Sequence, residues 1–216
     1  MILPTSKIFV FDLDDTLYSE RDFEKSGIEY VYNYFEIKHV SLDSILNNRK
    51  NWIDQIINVT NKEITIQMVL DLYRCHLPSI ELYKDSKVFL DMLLSNGYEM
   101  SLITDGRSIT QRNKLKALGI ESYFKNIVIS EEVNSEKPSE YNFNLVMNNK
   151  CRENYIYIAD NPQKDFITPN KLDWTTICLL DRGQNVHKQI FNNSIEYNPH
   201  FIINSFDEIN LTIRET

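Results

Sequence analysis

Short runs of apolar and β-branched residues recur along the chain, and stretches with helical periodicity separate the later runs. The runs are KIFVFDL (7–13), EMSLIT (99–104), NIVIS (126–130), YIYIA (155–159), TTICLL (175–180) and a weaker HFIIN (200–204). Between them, apolar residues fall at helical spacing in SITQRNKLKAL, SEYNFNLVMNN, PQKDFITPNKL and NVHKQIFNN. Near-continuous apolar strands that alternate with amphipathic helices are typical of a buried parallel sheet with helices on both faces. We therefore predict an α/β fold.

Residues 19–83 follow a different pattern. Apolar residues recur at helical spacing in FEKSGIEYVYNYF, LDSILNNRKNWIDQII and TIQMVLDLYRCHL, without the alternation typical of strands. SKVFLDMLLSNG (86–97) is predicted to be the helix that returns the chain to the sheet, with Asn96-Gly97 as its stop signal. We therefore predict a core domain made of residues 1–18 and 84–216, with an all-helical domain, residues 19–83, inserted into it.

Composition narrows the possible partners and the compartment. The 216 residues carry a formal net charge of −8, which argues against nucleic acid as a partner but not against a small phosphorylated molecule. The three cysteines show no metal-binding spacing, so we expect a reducing, cytoplasmic compartment. No stretch has the length of a membrane span or the layout of a signal peptide, so we expect neither membrane nor export. The sequence is compatible with a monomer and with a homodimer.

Carboxylates gather where predicted strands end. Asp12 and Asp14 follow the first strand and point the same way, because side chains alternate along a strand. In open parallel sheets, ligands bind at the carboxyl ends of the strands. We therefore expect one sheet edge to bring together the residues that end the first, second and fourth strands, with a lysine that precedes a predicted helix: Asp12, Asp14, Thr104, Asp105, Lys137, Asp160 and Asp165.

This set of side chains has a chemical logic. Neighbouring carboxylates repel each other, and a hard divalent cation such as Mg²⁺ makes the cluster tolerable. A cation and a lysine together neutralise the oxygens of a phosphoryl group. One carboxylate can attack phosphorus to form an aspartyl phosphate, while a second protonates the leaving oxygen and later activates water. The pattern therefore indicates Mg²⁺-dependent phosphoryl chemistry.

At these residues the chain resembles the haloacid dehalogenase (HAD) superfamily of phosphohydrolases, in its helical-cap branch (C1, subfamily I). FDLDDT matches the first motif, D-x-D-x-T, and the Thr of SLITDG matches the second. The Lys-Pro pair of ISEEVNSEKPSEYNF matches the third, and YIYIADNPQKDF resembles the fourth. The match covers residues 7–18 and about 86–180. Ala159 departs from the family, which commonly has a glycine before the fourth-motif aspartate.

The resemblance implies a Rossmann-like core and a role for each acidic residue. Asp12 would be the nucleophile and a Mg²⁺ ligand. Asp14 would be the general acid/base, with its backbone carbonyl on the metal. Asp160 would be the third protein ligand, and Asp165 would support the metal site.

The resemblance also implies how the phosphoryl group is held. Thr104 and the backbone amides near Asp105 would bind its oxygens, and Lys137 would bridge it to the nucleophile. The helical insertion would be a cap that closes over the substrate. We expect Asp15 to be a turn residue, and His187, like the other histidines, to have an ordinary structural role.

The implied activity is a phosphatase that hydrolyses a small phosphorylated metabolite through an aspartyl phosphate. A phosphomutase uses the same residues, and the motifs do not exclude it. Asp14 argues against a dehalogenase, because that branch of the superfamily lacks an acid there and needs no metal. A non-enzymatic phosphoacceptor of the receiver type places its aspartate after the third strand and has no large cap. A binding module that has lost its activity is also open, although no motif residue is missing.

Overall fold

Six parallel strands form the central sheet of the protein, whose computed structural model describes residues 2–3, 7–60, 63–147, 151–191 and 194–211. Across the sheet the order is β4-β3-β2-β5-β6-β7. A separate two-stranded sheet pairs β1 with β8 in parallel. The predicted α/β fold is therefore confirmed. The strands are β1 (Ile2–Leu3), β2 (Ile8–Phe11), β3 (Glu99–Thr104), β4 (Asn126–Ile129), β5 (Tyr155–Ala159), β6 (Thr175–Leu179), β7 (Phe201–Ile203) and β8 (Asn210–Leu211).

Helices surround the sheet and fill the segment between β2 and β3. Short 3₁₀ turns at 49–51, 121–123, 152–154, 195–197 and 206–208 complete the described elements. No helix in the described ranges is both long and apolar enough to cross a membrane. The α-helices are α1 (Glu20–Tyr34), α2 (Leu42–Asn47), α3 (Trp52–Val59), α4 (Ile66–Cys75), α5 (Lys84–Ser95), α6 (Ser108–Leu118), α7 (Ser130–Val133), α8 (Glu140–Asn144) and α9 (Ile167–Lys171).

The two faces of the sheet carry separate apolar cores. Side chains alternate along β2, so Phe9 and Phe11 pack in the core that includes α5, while Ile8 and Val10 pack in the core on the opposite face. All four are buried. Burying one such side chain is worth about 1.5–3 kcal/mol, so both cores hold β2 at the centre of the sheet.

The helices α1 to α4 have an apolar core of their own. The stripe on α1 recurs at helical spacing, with Phe23, Ile28 and Val31 buried. Ile28 and Val31 pack with Ile45 of α2 and Val69 of α4. In the described residues 19–60 and 63–83 there is no strand, which agrees with the helical pattern of this segment.

Parallel pairing aligns the carboxyl ends of three strands. Phe11 of β2 lies opposite Leu102 of β3 and Ile158 of β5. The amide N–H of Asp12 donates to the Ile158 carbonyl at 3.0 Å, which continues the ladder by one residue. The residues that follow β2, β3 and β5 therefore meet at one edge of the sheet.

The prediction of a helix in NVHKQIFNN (185–193) is wrong for residues 185–191, which are irregular. Residues 192–193 lie outside the described residues. The Asp181 carboxylate accepts hydrogen bonds from the N–H groups of Gly183, Gln184 and Asn185. These side-chain contacts compete with a helical hydrogen-bond ladder and produce a turn instead. The helices predicted over 139–149 and 162–172 are present but shorter, as α8 and α9.

Gly27 lies on α1 where that helix packs closely against α4. A Cβ at this position would lie 2.4 Å from the ring atoms Cδ2 and Cε2 of Tyr73. Placing a methyl group there costs about 1–3 kcal/mol, because the ring has to move. Removing a helical glycine offsets up to about 1 kcal/mol of this cost, so Gly27→Ala is expected to lower the free energy of unfolding by about 1–2 kcal/mol.

Urea denaturation measures this change. Asn33→Ala, at an exposed position of the same helix, is the matched control and is expected to stay within about 0.5 kcal/mol of the wild type. A Gly27→Ala protein as stable as the control would contradict the close packing of α1 on α4.

Candidate active site

The Lys137 side chain lies between two carboxylates at the sheet edge. Its Nζ is 2.6 Å from Oδ1 of Asp12 and 2.8 Å from Oδ1 of Asp165, and it donates to the Tyr157 hydroxyl at 3.3 Å. The side chains of Lys137 and Asp165 are completely buried, and that of Asp12 is 8% exposed. The Lys137 backbone N–H donates to Asp105 at 3.0 Å, which fixes the loop before α8. Lys137 thus joins the ends of distant strands through a buried ion cluster.

Three buried carboxylates meet around this ammonium. Asp12, Asp160 and Asp165 each offer an oxygen within 4.8 Å of the others. Burial raises the pKa of Asp12 to about 6; Lys137 lowers it and Asp165 adds repulsion. Burial, followed by repulsion from Asp12 and Asp165, raises the pKa of Asp160 well above its usual value. The excess of buried negative charge, and the all-oxygen donor set, fit a hard divalent cation.

Asp165 and Asp160 have different hydrogen-bond partners. One of its oxygens contacts Lys137, and the other accepts a hydrogen bond from the Asn161 N–H at 3.1 Å. Asp160 accepts from the Asn185 amide at 2.9 Å, and its backbone carbonyl accepts from Gln189 at 2.6 Å. Asn185 and Gln189 belong to the irregular segment after β6, which therefore forms one wall of the site.

The second motif follows β3. Thr104 is buried, and its hydroxyl accepts a hydrogen bond of 2.6 Å from Gln111. Asp105 accepts from the Lys137 N–H and from Lys164 at 2.9 Å, so its carboxylate braces two lysine-bearing loops. The Gly106 N–H donates to the Ser130 hydroxyl at 2.9 Å. Thr104 and Asp105 line the same cavity as Asp12.

Asp14 also lines this cavity, and three neighbouring side chains donate hydrogen bonds to its carboxylate. It accepts hydrogen bonds from the Tyr18 hydroxyl, from Gln111 at 2.9 Å and from Lys114 at 2.7 Å. Burial alone would raise the pKa of Asp14, but the charge of Lys114 and these hydrogen bonds lower it below the usual value. These donors therefore stabilise the ionised form of Asp14.

Asp15 lies in the turn expected for it, with a φ of 56°. Its carboxylate accepts from the N–H of Glu20 at 2.9 Å and from the N–H of Val186 at 2.7 Å. Asp15 thus connects the start of α1 to the segment after β6. The adjacent residues Asp14 and Asp15 therefore have different partners. Side chains donate to Asp14, whereas backbone N–H groups donate to Asp15 and hold the turn in place.

The cavity at this edge has a volume of about 150 Å³. All the predicted site residues line it except Lys137 and Asp165, which belong to the buried ion cluster. Glu20, Asn161, Lys164 and His187 also line the cavity and were not predicted. Asn161 and Lys164 lie within the fourth motif and could have been suspected from their position. Glu20 and His187 have no such signal, and the ordinary role expected for His187 does not describe its place in the cavity.

Comparison with known proteins supports the assignment that this geometry indicates. The family model described as haloacid dehalogenase-like hydrolase matches residues 9–178. Glyceraldehyde 3-phosphate phosphatase of Methanocaldococcus jannaschii is 28% identical over 193 residues, which cover 81% of this chain and 85% of that protein. Phosphoserine phosphatase of Thermus thermophilus is 31% identical over 107 residues, which cover 47% of this chain and 41% of that protein. These relatives confirm the predicted phosphatase class.

Solved structures share the fold. The HAD-hydrolase YfnB from Bacillus subtilis, whose structure was solved bound to magnesium, has a TM-score of 0.68 at 16% identity, covering 94% of this chain and 96% of that one. A family match over most of the chain, with the motifs at one sheet edge, shows that the protein belongs to the haloacid dehalogenase-like hydrolase family.

Proposed function

We propose that this phosphatase hydrolyses a small phosphomonoester in the cavity beside Asp12, through an aspartyl phosphate. The observation that carries the proposal is the 2.6 Å contact between Lys137 and Asp12 within a buried, cavity-lining cluster. A buried lysine at the nucleophile orients the carboxylate and balances the charge of an incoming phosphoryl group. The ion pair borders a cavity lined by further carboxylates, which indicates a binding site rather than a contact that only stabilises the fold.

We further propose Mg²⁺ as the cofactor. Asp12, Asp160 and the backbone carbonyl of Asp14 would hold it, with Asp165 in support. The donor set is all oxygen, and burial, followed by repulsion from neighbouring carboxylates, raises the pKa values of Asp12 and Asp160. When bound, the cation would neutralise oxygens of the phosphoryl group.

The protein's own residues would then act in two steps. In the first, an Asp12 oxygen attacks phosphorus, the ester P–O bond breaks, and Asp14, which enters this step carrying a proton, gives that proton to the leaving oxygen and becomes a carboxylate. In the second, Asp14 removes a proton from water, which attacks phosphorus and releases phosphate and free Asp12. Thr104, which lines the cavity, would hold phosphoryl oxygens during both steps, and Lys137 would balance their charge from its position against Asp12.

We propose that residues 19–83 act as a cap over a core made of residues 1–18 and 84–216. The separate apolar core of α1 to α4 supports this division. Glu20, the first residue of α1, lines the cavity, so the proposed cap begins beside the place where the substrate would bind. A cap that closes on bound substrate excludes water from the first step.

The substrate we favour is a three-carbon phosphate. The relatives named above act on glyceraldehyde 3-phosphate and phosphoserine, both of which have three carbons. A cavity of about 150 Å³ has little room for a large leaving group. Its polar lining suits a hydroxyl, aldehyde or amino group better than an apolar one.

Asp12→Asn is expected to reduce phosphate release by at least about three orders of magnitude, because an amide oxygen is a poor nucleophile and the ion pair with Lys137 is lost. The assay is release from p-nitrophenyl phosphate with Mg²⁺ and with EDTA. Chelation is expected to abolish release by the wild type. Asp54→Asn, an exposed aspartate on α3, is the matched control. Activity that survives in Asp12→Asn would disprove the proposed nucleophile.

Small phosphates are expected to be preferred over large ones. In a panel of alkyl phosphates, kcat/KM for glyceraldehyde 3-phosphate or phosphoserine should exceed that for hexose phosphates and nucleotides by at least about tenfold, because the larger groups do not fit. Free phosphate and product isomers are both measured. Equal turnover of hexose phosphates would contradict the size limit, and an isomer formed without phosphate release would identify a phosphomutase.

A further inference from the structure

We infer that Gln111 and Lys114 of α6 are positioning residues for Asp14, and that α6 links Asp14 to the helical segment 19–83. The inference rests on the proposed role of Asp14 as acid and base. Neither residue lies in a family motif by which the site was predicted. Both side chains are buried: Gln111 is 1% exposed and Lys114 is 3% exposed.

The two residues hold separate oxygens of one carboxylate. Lys114 Nζ lies 2.7 Å from Oδ1 of Asp14, and Gln111 Nε2 lies 2.9 Å from Oδ2. Positions three apart on a helix share a face, so α6 presents both donors to Asp14 together. A buried ammonium needs a partner, and Asp14 is the carboxylate with which Lys114 forms its ion pair. This arrangement limits the rotation of the Asp14 side chain.

Gln111 also connects Asp14 to the phosphate end of the site. The same Nε2 donates to the Thr104 hydroxyl at 2.6 Å. A side-chain amide nitrogen carries two N–H groups, which suffices for both contacts. A carboxylate that is ionised only accepts, so the amide nitrogen has to face Asp14. One amide group therefore sets the separation between the proposed acid and the residue proposed to bind phosphoryl oxygens.

Lys114 and its neighbours also contact the helical segment. The Lys114 ammonium lies 4.3 Å from the centroid of the Phe23 ring on α1, a cation–π contact. On the same face of α6, Thr110 donates to the Arg74 carbonyl at 3.1 Å, and Asn113 donates to the carbonyls of Cys75 and His76. The face that fixes Asp14 is thus the face on which α1 and the end of α4 rest.

Because Gln111 and Lys114 act through Asp14, their loss should affect proton transfer more than binding. Protonation of the leaving oxygen matters for an alkyl phosphate, whose alkoxide is a poor leaving group, and matters little for p-nitrophenyl phosphate. The value of kcat/KM reports the first chemical step for both substrates. A residue that only stabilises the fold would lower both values by the same factor.

The experiment compares Lys114→Met with the wild-type enzyme on p-nitrophenyl phosphate and on the alkyl phosphate that the wild type turns over fastest. We expect kcat/KM to fall about 10²-fold or more for the alkyl phosphate and less than about tenfold for the aryl phosphate, with KM little changed. Lys114→Arg should restore part of the loss, because it keeps the charge. Lys116→Met, an exposed lysine of the same helix, is the matched control.

Gln111→Met is the second variant, because it keeps the Lys114–Asp14 ion pair if Lys114→Met does not fold. It should show the same difference between the two substrates. Equal losses on both substrates, or no loss on either, in a folded variant would overturn the inference. Failure of the proposed function is seen separately, as a wild-type enzyme that does not hydrolyse the aryl phosphate or does not depend on Asp12.

Discussion

The ammonium of Lys137, completely buried between Asp12 and Asp165, is the constraint on which the site depends. Carboxylates this close and this deeply buried repel each other, and without a cation the charged forms would be unstable. The lysine comes from a loop after β4, whereas the carboxylates follow β2 and β5. The ion cluster can therefore form only when the sheet is assembled in the observed order.

Asp12 and Asp14 are two residues apart, yet their surroundings shift their pKa values in opposite directions. Burial raises the pKa of Asp12 to about 6, although Lys137 partly compensates. The pKa of Asp14 is lowered despite burial, because Lys114 and hydrogen-bond donors surround its carboxylate. Titratable groups with opposed environments are a recurring feature of sites that divide labour between two acids. In the proposed mechanism the two residues are the nucleophile and the proton carrier, and each has its own lysine.

Parts of the chain without a motif also contribute to the walls of the site. The irregular segment after β6 supports Asp160 through Asn185 and Gln189, and places His187 in the cavity. Residues 185–191 have helical periodicity but form no helix, because the Asp181 carboxylate accepts hydrogen bonds from the backbone N–H groups with which a helix would begin. Asp15 connects this segment to the first residue of α1. The helical segment, the sheet edge and the segment after β6 are therefore joined around one turn of the chain.

The sequence by itself determined the six strands of the central sheet, whose apolar runs lie within one or two residues of the observed bounds, and the residues that end them, but it did not indicate the short pair of β1 and β8. It also indicated the chemistry, because D-x-D-x-T, Thr104, Lys137 and Asp160 occur in a fixed order after such runs. Only the tertiary structure decided which other side chains reach the site. Gln111 and Lys114 lie 97 and 100 residues from Asp14 along the chain, and ordinary helical spacing is all that marks them. A periodic pattern reports which face of an element is buried, whereas the partner on that face depends on how distant elements pack.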